Sequence, residues 1–226
     1  LAAAPLGGIF ANTGQTLSDS GLDVAMGDLD GDTDIDVFVA RDGQDMIWFN
    51  NGNGSYSQGG QTFGTSYSLA VAVGDLDGDG DLDVVTLKDE ATSLVIWLNQ
   101  GGGQGGTPGV FQSNGQTNIG GDLPGDVALG DVDGDTDLDI FLARIIGRPA
   151  QIWLNNGSGQ FTNSGQSLVS NSSSGVVLGD LDEDGDLDAL TADDSVARHW
   201  VNQGGLQGGT EGVFADSGQV LATALS

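Results

Sequence analysis

Four clusters of aspartate recur along the chain, and each places carboxylates on alternate positions. They are GDLDGDTDIDVFVA (27–40), GDLDGDGDLDVVTL (74–87), GDVDGDTDLDIFLA (130–143) and GDLDEDGDLDALTA (179–192). Alternate carboxylates converge on one point when a tight loop wraps around a cation. Because the ligand atoms are all oxygens, with no histidine or cysteine nearby, a hard ion is expected, and a flexible loop with six or seven oxygens favours Ca²⁺ over Mg²⁺.

The EF-hand is the main alternative for such a loop, and two features exclude it. An EF-hand requires glutamate at the twelfth position and helices on both sides of the loop. These loops lie between short apolar runs that are typical of strands, and their twelfth positions carry other residues: Val39, Thr86, Leu142 and Thr191.

Two further elements repeat with the clusters, about every 50 residues. One is a tryptophan run such as MIWFNNG (46–52), and the other is an aromatic residue that leads to Gly-Gln, as in YSQGGQ (56–61). The segments are short, rich in β-branched and aromatic residues, and bounded by Gly, Asn or Asp, which predicts strands. The sequence therefore predicts an all-β protein: a single β-propeller domain (1–226) of four-stranded antiparallel blades, with four repeats in this chain.

A longer period joins the repeats in pairs, because NQGGGQGGTPGVF (99–111) matches NQGGLQGGTEGVF (202–214). The aromatic–Gly-Gln element occurs five times against four metal loops, so one terminal copy (10–17 or 214–221) is surplus. We expect a single ring of four blades. A surplus edge strand also permits self-association, and the paired repeats permit two chains to form an eight-bladed ring.

The aspartate loops resemble the FG-GAP/VCBS repeats of integrin α-subunits and many bacterial surface proteins, whose loop reads D-x-[DN]-x-D-G-x-x-D before an apolar strand. All four clusters align to this pattern without gaps. The resemblance implies about four Ca²⁺ ions, one per repeat, with side-chain ligands at loop positions one, three, five and nine and a backbone carbonyl at position seven. The implied metal residues are Asp28, Asp30, Asp32, Asp34 and Asp36; Asp75, Asp77, Asp79, Asp81 and Asp83; Asp131, Asp133, Asp135, Asp137 and Asp139; and Asp180, Asp182, Asp184, Asp186 and Asp188.

The loops depart from the family pattern at two positions. Position six is glycine in loops two and four but Thr33 and Thr136 in loops one and three. If that position needs a positive φ, we expect loops one and three to be strained or differently shaped and to bind metal more weakly. Glu183 also replaces the glycine at position four of the last loop.

The charge of the chain restricts its partners. It carries 33 Asp and Glu against five Lys and Arg, for a net charge of −28. No basic surface is available for nucleic acid or anionic lipid, and no apolar run approaches the length that spans a bilayer. Four bound Ca²⁺ ions would reduce the net charge to about −20.

Two other residue sets are candidate binding sites. One tryptophan per repeat could stack on sugars, although regular repetition on an apolar strand favours packing between blades. The basic residues all precede the tryptophan runs and could form one cationic face or scattered surface charge: Arg41, Lys88, Arg144, Arg148 and Arg198. No nucleophile motif surrounds the single histidine, His199, so we do not expect an enzyme.

These observations lead to one functional hypothesis and three alternatives. We expect a Ca²⁺-stabilised recognition or adhesion module with a protein or glycan ligand, and the resemblance implies an extracellular or cell-surface location. The alternatives are a lectin with sugar pockets between blades, an accessory domain of a polysaccharide-acting enzyme, and a structural spacer.

Overall fold

The computed structural model describes residues 12–17, 20–89, 94–117, 119–121, 124–169, 172–194 and 196–221. Within these ranges the chain forms sixteen strands and two short 3-10 helices. Neither described helix has the length and apolar character needed to cross a membrane.

The strands form four sheets of four, which we call blades one to four. Blade one contains β1 (Gly21–Gly27), β2 (Asp36–Arg41), β3 (Met46–Asn50) and β4 (Tyr56–Gln58). Blade two contains β5 (Ser68–Gly74), β6 (Asp83–Lys88), β7 (Leu94–Asn99) and β8 (Phe111–Ser113). Blade three contains β9 (Pro124–Gly130), β10 (Asp139–Arg144), β11 (Gln151–Asn155) and β12 (Phe161–Asn163). Blade four contains β13 (Ser173–Gly179), β14 (Asp188–Asp193), β15 (Val196–Asn202) and β16 (Phe214–Leu221).

Each blade is an antiparallel meander in which every strand pairs with the next one in the sequence. The first strands lie side by side, since β1 packs against β5, β5 against β9, and β9 against β13. The aspartate loop of each repeat joins the first strand to the second. The 3-10 helices, Gly102–Gln104 and Gly205–Gln207, lie in the longer connections before β8 and β16. The prediction of four-stranded propeller blades is confirmed.

The hydrophobic core lies between blades. Blades one and two enclose a cluster around Phe38, Phe63 and Phe111, in which Phe63 contacts the other two rings edge-on. Similar clusters fill the joints between blades two and three and between blades three and four. Because a fully buried aliphatic or aromatic side chain contributes about 1.5–3 kcal/mol, each blade depends on its neighbours for most of its stability.

The aromatic–Gly-Gln elements connect successive blades. The Gln116 side chain, after blade two, donates to the Phe161 carbonyl of blade three and accepts the Phe161 backbone N–H at 2.9 Å. Gln61 makes the same two bonds to Phe111, and Gln15 makes them to Tyr56 of blade one. The surplus aromatic–Gly-Gln element is therefore the N-terminal copy (10–17), and its Gln15 side chain bonds the outer strand of blade one. Its aromatic residue, Phe10, lies outside the described residues.

An asparagine at the end of each tryptophan strand also spans the joints. The Asn155 amide donates to the Leu138 carbonyl of its own blade at 3.1 Å and to the Leu76 carbonyl of the preceding blade at 2.8 Å. Asn99 and Asn202 make the same pair of bonds. Asn50, in blade one, makes only the bond within its own blade among the described residues.

The two end blades expose residues that are buried at the other joints. Val24 in β1 is 57% exposed, whereas the valines at the same strand position in the other three blades are each 7% exposed. Leu181 in the fourth loop is 52% exposed, whereas the residues at its position in the other loops are almost completely buried. The expected closure of one chain into a four-bladed ring is thus not seen at these faces in the described part of the chain.

We expect Asn155→Ala to destabilise the chain by about 1–3 kcal/mol more than Asn50→Ala, because only Asn155 leaves a buried carbonyl of a second blade without its donor. Urea unfolding of both variants at the same Ca²⁺ concentration measures this difference. Equal losses would mean that the inter-blade bond contributes nothing to stability.

Candidate metal centre

The first aspartate of each loop organises the turn. Asp28 accepts the backbone N–H groups of residues 31, 32 and 33 at 2.8–3.1 Å. Asp75 and Asp131 accept the corresponding three groups in loops two and three. In loop four Asp180 accepts two, from Asp184 and Gly185. One carboxylate thus folds the following residues around itself.

The aspartate at position nine is the most deeply buried of each set, and it ties the loop to the sheet. In loop two, Asp83 is 0% exposed, and its two oxygens accept the N–H of Leu76 at 2.8 Å and of Asn99 at 2.7 Å. Leu76 lies at the start of the loop and Asn99 at the end of the third strand. The same two bonds recur in the other blades, through Asp36, Asp139 and Asp188.

Three carboxylates in each loop approach closely enough to share one ion, with their oxygens within 4.8 Å of one another. In loops one and four these are positions one, three and five, and in loops two and three positions one, three and nine. The position-three residues of the first three loops each have a buried oxygen without a hydrogen-bond partner among the described residues: Asp30, Asp77 and Asp133. Burying a carboxylate oxygen without a partner costs free energy, and a cation bound within the loop would provide that partner.

The remaining aspartates have distinct roles. Position five accepts the N–H of position seven, as in the 2.9 Å bond from Asp81 to Asp79. The position-seven side chains lie against a glycine in the hairpin after the tryptophan strand: Asp81 lies against Gly101 and Asp186 against Gly204, and each has one buried oxygen without a hydrogen-bond partner among the described residues. The family resemblance implies the position-seven backbone carbonyl as the ligand. The complete ligand set, with carbonyls, remains a prediction.

Three polar residues that the sequence analysis did not single out complete the surroundings of the loops. Gln104 and Gln207, in the 3-10 helices, donate to Asp77 and Asp182 at position three of loops two and four. Glu211 of blade four lies against Gly134 of loop three and beside Asp186 of loop four, and burial together with the Asp186 charge raises its pKa. The GGxQGGTxG pairing in the sequence was the available signal for all three.

Three of the four described non-glycine residues with a positive φ lie where the loops depart from the family pattern, and the fourth, Ile146, lies in the hairpin after β10. Position six has a positive φ in all four loops, at 94° and 102° for Gly80 and Gly185 and at 76° and 79° for Thr33 and Thr136. Glu183 at position four of the last loop has φ 64°. The left-handed conformation costs a residue with a Cβ about 1–2 kcal/mol, so three of the four loops contain a strained residue.

Mutual proximity and burial alter the acidity of the cluster. Burial raises the pKa of Asp83 to about 7 and that of Asp139 to about 6, although two backbone N–H donors favour ionisation of each. Burial, followed by the charge of neighbouring aspartates, also raises the pKa of Asp30, Asp77 and Asp133. A bound divalent cation would oppose these shifts by favouring the charged carboxylates.

The tryptophans and basic residues lie mainly in packed or paired positions. Trp97, Trp153 and Trp200 pack against the clusters between blades. Lys88 is buried and bonds Asp45 and Ser68 at 2.6 Å each, Arg144 is buried, and Arg198 pairs with two aspartates of its own blade. These cations stabilise the folded chain and do not form one exposed basic face.

The model of the FG-GAP-like repeat matches residues 28–86, 75–142 and 131–191, with each match running from one aspartate loop into the next. The chain belongs to the FG-GAP-like repeat family. The matched segments contain all four loops, so the repeat unit defined by the family includes both the carboxylates described above and the strands that they join. Comparison with curated proteins found no match.

Solved structures resemble this FG-GAP-like chain in fold. A structure described as showing specific recognition of non-reducing terminal N-acetylglucosamine by an Agrocybe aegerita lectin aligns over 84% of this chain and 50% of its own, with a TM-score of 0.53 and 21% identity. BBS1N in complex with ARL6DN, soaked with lead, aligns over 92% of this chain and 58% of its own, with a TM-score of 0.49 and 14% identity. The chain thus spans about half the length of the structures it matches.

We expect Thr33→Gly to stabilise the Ca²⁺-loaded chain by about 1 kcal/mol, because glycine removes the steric cost of the positive φ at position six. Gly80→Thr, the reverse change in loop two, should destabilise it by a similar amount. Chemical unfolding in Ca²⁺ measures both. Destabilisation by Thr33→Gly, stabilisation by Gly80→Thr, or no effect of either substitution would show that φ at this position does not limit loop stability.

Metal-free chain should lose stability as the pH rises from 5.5 to 8. The folded chain retains a proton on Asp83 up to about pH 7, whereas the unfolded chain releases it near the ordinary aspartate pKa of 3.8. Folding therefore takes up protons in this window, and the free energy of unfolding falls as pH rises through it. Thermal unfolding after removal of divalent ions measures the trend, and a melting temperature that rises with pH would contradict it.

Proposed function

We propose that this chain is a Ca²⁺-binding β-propeller module that recognises a protein or glycan ligand outside the cell. The single observation that carries the proposal is the convergence of three carboxylates in each of four loops, with a buried, unpaired oxygen at position three in loops one to three. Four equivalent acidic loops in register are difficult to explain as solvated turns, because each one concentrates like charges that repel without a cation.

We propose that the bound metal stabilises the folded structure. Each loop joins the first two strands of a blade, and its position-nine aspartate bonds the third strand of that blade, as Asp83 does with Asn99. Asn99 in turn bonds the Leu29 carbonyl in the loop of the preceding blade at 3.0 Å. An ion that neutralises one loop would therefore stabilise its own blade and the joint before it, so metal binding and folding are coupled.

A binding role outside the cell is supported by chemistry and by family. Loops that bind Ca²⁺ through oxygen ligands with modest affinity are occupied only where the Ca²⁺ concentration is high, as it is outside cells. The first and ninth carboxylates of each loop accept backbone N–H groups, and the unpaired position-three oxygens of loops one to three lie beside them, an arrangement that suits a cation better than acid–base catalysis. We therefore propose a recognition module without enzymatic activity of its own.

Calcium should raise the melting temperature strongly compared with chelator. At a free Ca²⁺ concentration one hundred times Kd, each site contributes about 2.7 kcal/mol, and four sites together correspond to a shift on the order of 20 °C for a chain of this size. Differential scanning calorimetry with Ca²⁺ and with EGTA measures the shift, and isothermal titration gives the stoichiometry, expected near four.

Two variants define this experiment. Asp77→Ala should remove one site and part of the Ca²⁺-dependent stabilisation. Asp42→Ala changes the charge equally at an exposed position outside the loops and should leave both unchanged. Identical melting with Ca²⁺ and EGTA would exclude the calcium role.

Glycan binding is a second candidate, favoured by a cavity of about 230 Å³ between blades one and two. Its lining includes Phe49, Ile47 and Val110 with the Asp30 carboxylate, and an aromatic ring beside a polar group suits a sugar. The Agrocybe aegerita lectin of similar fold is described as binding N-acetylglucosamine. Glycan-array binding that Phe49→Ala abolishes, with Ca²⁺-dependent melting intact, would support this candidate; no binding of any glycan would exclude it.

A further inference from the structure

The joints between blades follow one pattern, which both end blades leave incomplete. In each joint, the leucine at position eight of the aspartate loop of one blade lies over a glycine at the end of the first strand of the preceding blade. The pairs are Leu82 on Gly27, Leu138 on Gly74 and Leu187 on Gly130. Each pair is accompanied by the buried strand valine and the bridging asparagine described above.

Blade one presents an unmatched front half of this joint. Ile35 stands at the position of the covering leucine and is 50% exposed. Leu22, Val24 and Met26 of β1 are 47%, 57% and 65% exposed on the same side. A cavity of about 410 Å³ lies there, lined by Val24, Val37 and Val39 among others. We call these four side chains (Leu22, Val24, Met26 and Ile35) the front face.

Blade four presents the unmatched rear half. Gly179 stands where Gly27, Gly74 and Gly130 are covered by leucine, and the one described neighbour near its Cβ position is Leu181 of the same blade. Val177 and Leu181 are 62% and 52% exposed beside it. We call Val177, Gly179 and Leu181 the rear face. Among the described residues, no side chain of another blade covers Gly179 of the rear face. Conversely, Ile35 of the front face stands at the covering position but has no glycine beneath it.

We propose that a second copy of this chain docks head to tail, with its front face on the rear face of the first copy. The chain already contains one joint of this type. Repeats two and four share the long GGxQGGTxG connection and repeats one and three the short one, so a joint from blade four to blade one corresponds to the joint from blade two to blade three. That joint is built from Gly74 under Leu138 and Asn155 bonded to the Leu76 carbonyl. Its counterparts between copies are Gly179 under Ile35 and Asn50 bonded to the Leu181 carbonyl.

Blades one and two, like blades three and four, are joined by an additional aspartate. Asp23 accepts the Val71 N–H and Asp126 accepts the Val176 N–H at 2.9–3.0 Å. The first strand of blade two carries Ala70 at this position and that of blade four carries Gly175, so neither offers an acceptor to the next blade. The joint between copies therefore lacks this bond for the same reason that the joint between blades two and three lacks it.

Two features set the expected strength of association. His199 stands on β15 where blade two has Ile96, so the joint between copies buries less apolar surface than its internal counterpart. In addition, Gln15 bonds the Tyr56 backbone as Gln116 bonds the Phe161 backbone. In the joint between copies, Gln219 of the other copy would take this role, so docking must displace Gln15 from Tyr56. Each copy carries a charge of −28, so bound Ca²⁺ and added salt should favour association. We expect a dissociation constant in the micromolar range.

Sedimentation velocity of the whole chain in Ca²⁺ over a range of about 1–200 µM tests the association. The expected result is a concentration-dependent increase in mass that begins with a species of twice the 22.9 kDa chain mass. Val24→Asp, on the front face, should weaken association by about a hundredfold or more, because it would bury a charge in the joint. Ile146→Asp, at an equally exposed apolar residue in another hairpin, should not weaken it. A monomer at every concentration, or equal effects of both variants, would overturn the proposal.

Cysteine cross-linking tests the register, because the chain contains no cysteine of its own. A mixture of Ile35→Cys chains and Gly179→Cys chains should form mixed disulfide dimers in preference to either homodimer. Placing Gly74→Cys with Leu138→Cys in one chain provides the matched internal control, which should close within a monomer. If Ile35→Cys combined with Gly179→Cys in one chain also closes within a monomer, then blades one and four meet in the same chain and the proposal is wrong.

These outcomes are separable from the calcium proposal. A chain that melts higher in Ca²⁺ but never self-associates retains the metal function and loses the docking surface. A dimer whose stability is the same with and without EGTA would support the docking proposal and exclude the calcium proposal.

Discussion

The structure depends on a buried carboxylate at the end of each aspartate loop. The position-nine aspartate bonds backward to the start of its loop and forward to the end of the third strand, so one side chain holds three segments of the blade together. Its burial is tolerated because both oxygens accept backbone N–H groups, yet its pKa still rises to about 7 in loop two. A cation in the loop would resolve this conflict by favouring the charged form.

Among the described residues, no hydrophobic cluster lies within a single blade. The hydrophobic clusters lie between sheets, and glutamine and asparagine side chains cross the same joints. Stability is therefore expected to accumulate from neighbour to neighbour, as in other repeat proteins, and the end blades must present half of a joint each. The exposed Val24 and Leu181 are the direct result of this arrangement.

Strain and charge are concentrated in the loops. Thr33, Thr136 and Glu183 adopt positive φ values that glycine would accept at lower cost, and like charges surround each of them. The sheets that hold the loops contain no comparable outlier on their described strands. Strain and charge repulsion both destabilise the loops without a cation, so metal binding is expected to stabilise the whole chain.

Local sequence determined the blades and the loops because both depend on contacts within about 25 residues: alternation predicts strands, Asp and Gly spacing predicts the turn, and recurrence counts the blades. The positive φ at position six was likewise foreseen, since Thr33 aligned with Gly80. The partners of Gln104, Glu211 and Asn155 were not, because each contacts a loop or blade whose position only the packed sheets define. The basic residues illustrate the same limit, since Lys88 is buried against Asp45 of another blade. The exposed faces of blades one and four, too, could be read only from the tertiary structure, because the burial of Val24 and Leu181 depends on which blade packs against them and not on the number of repeats.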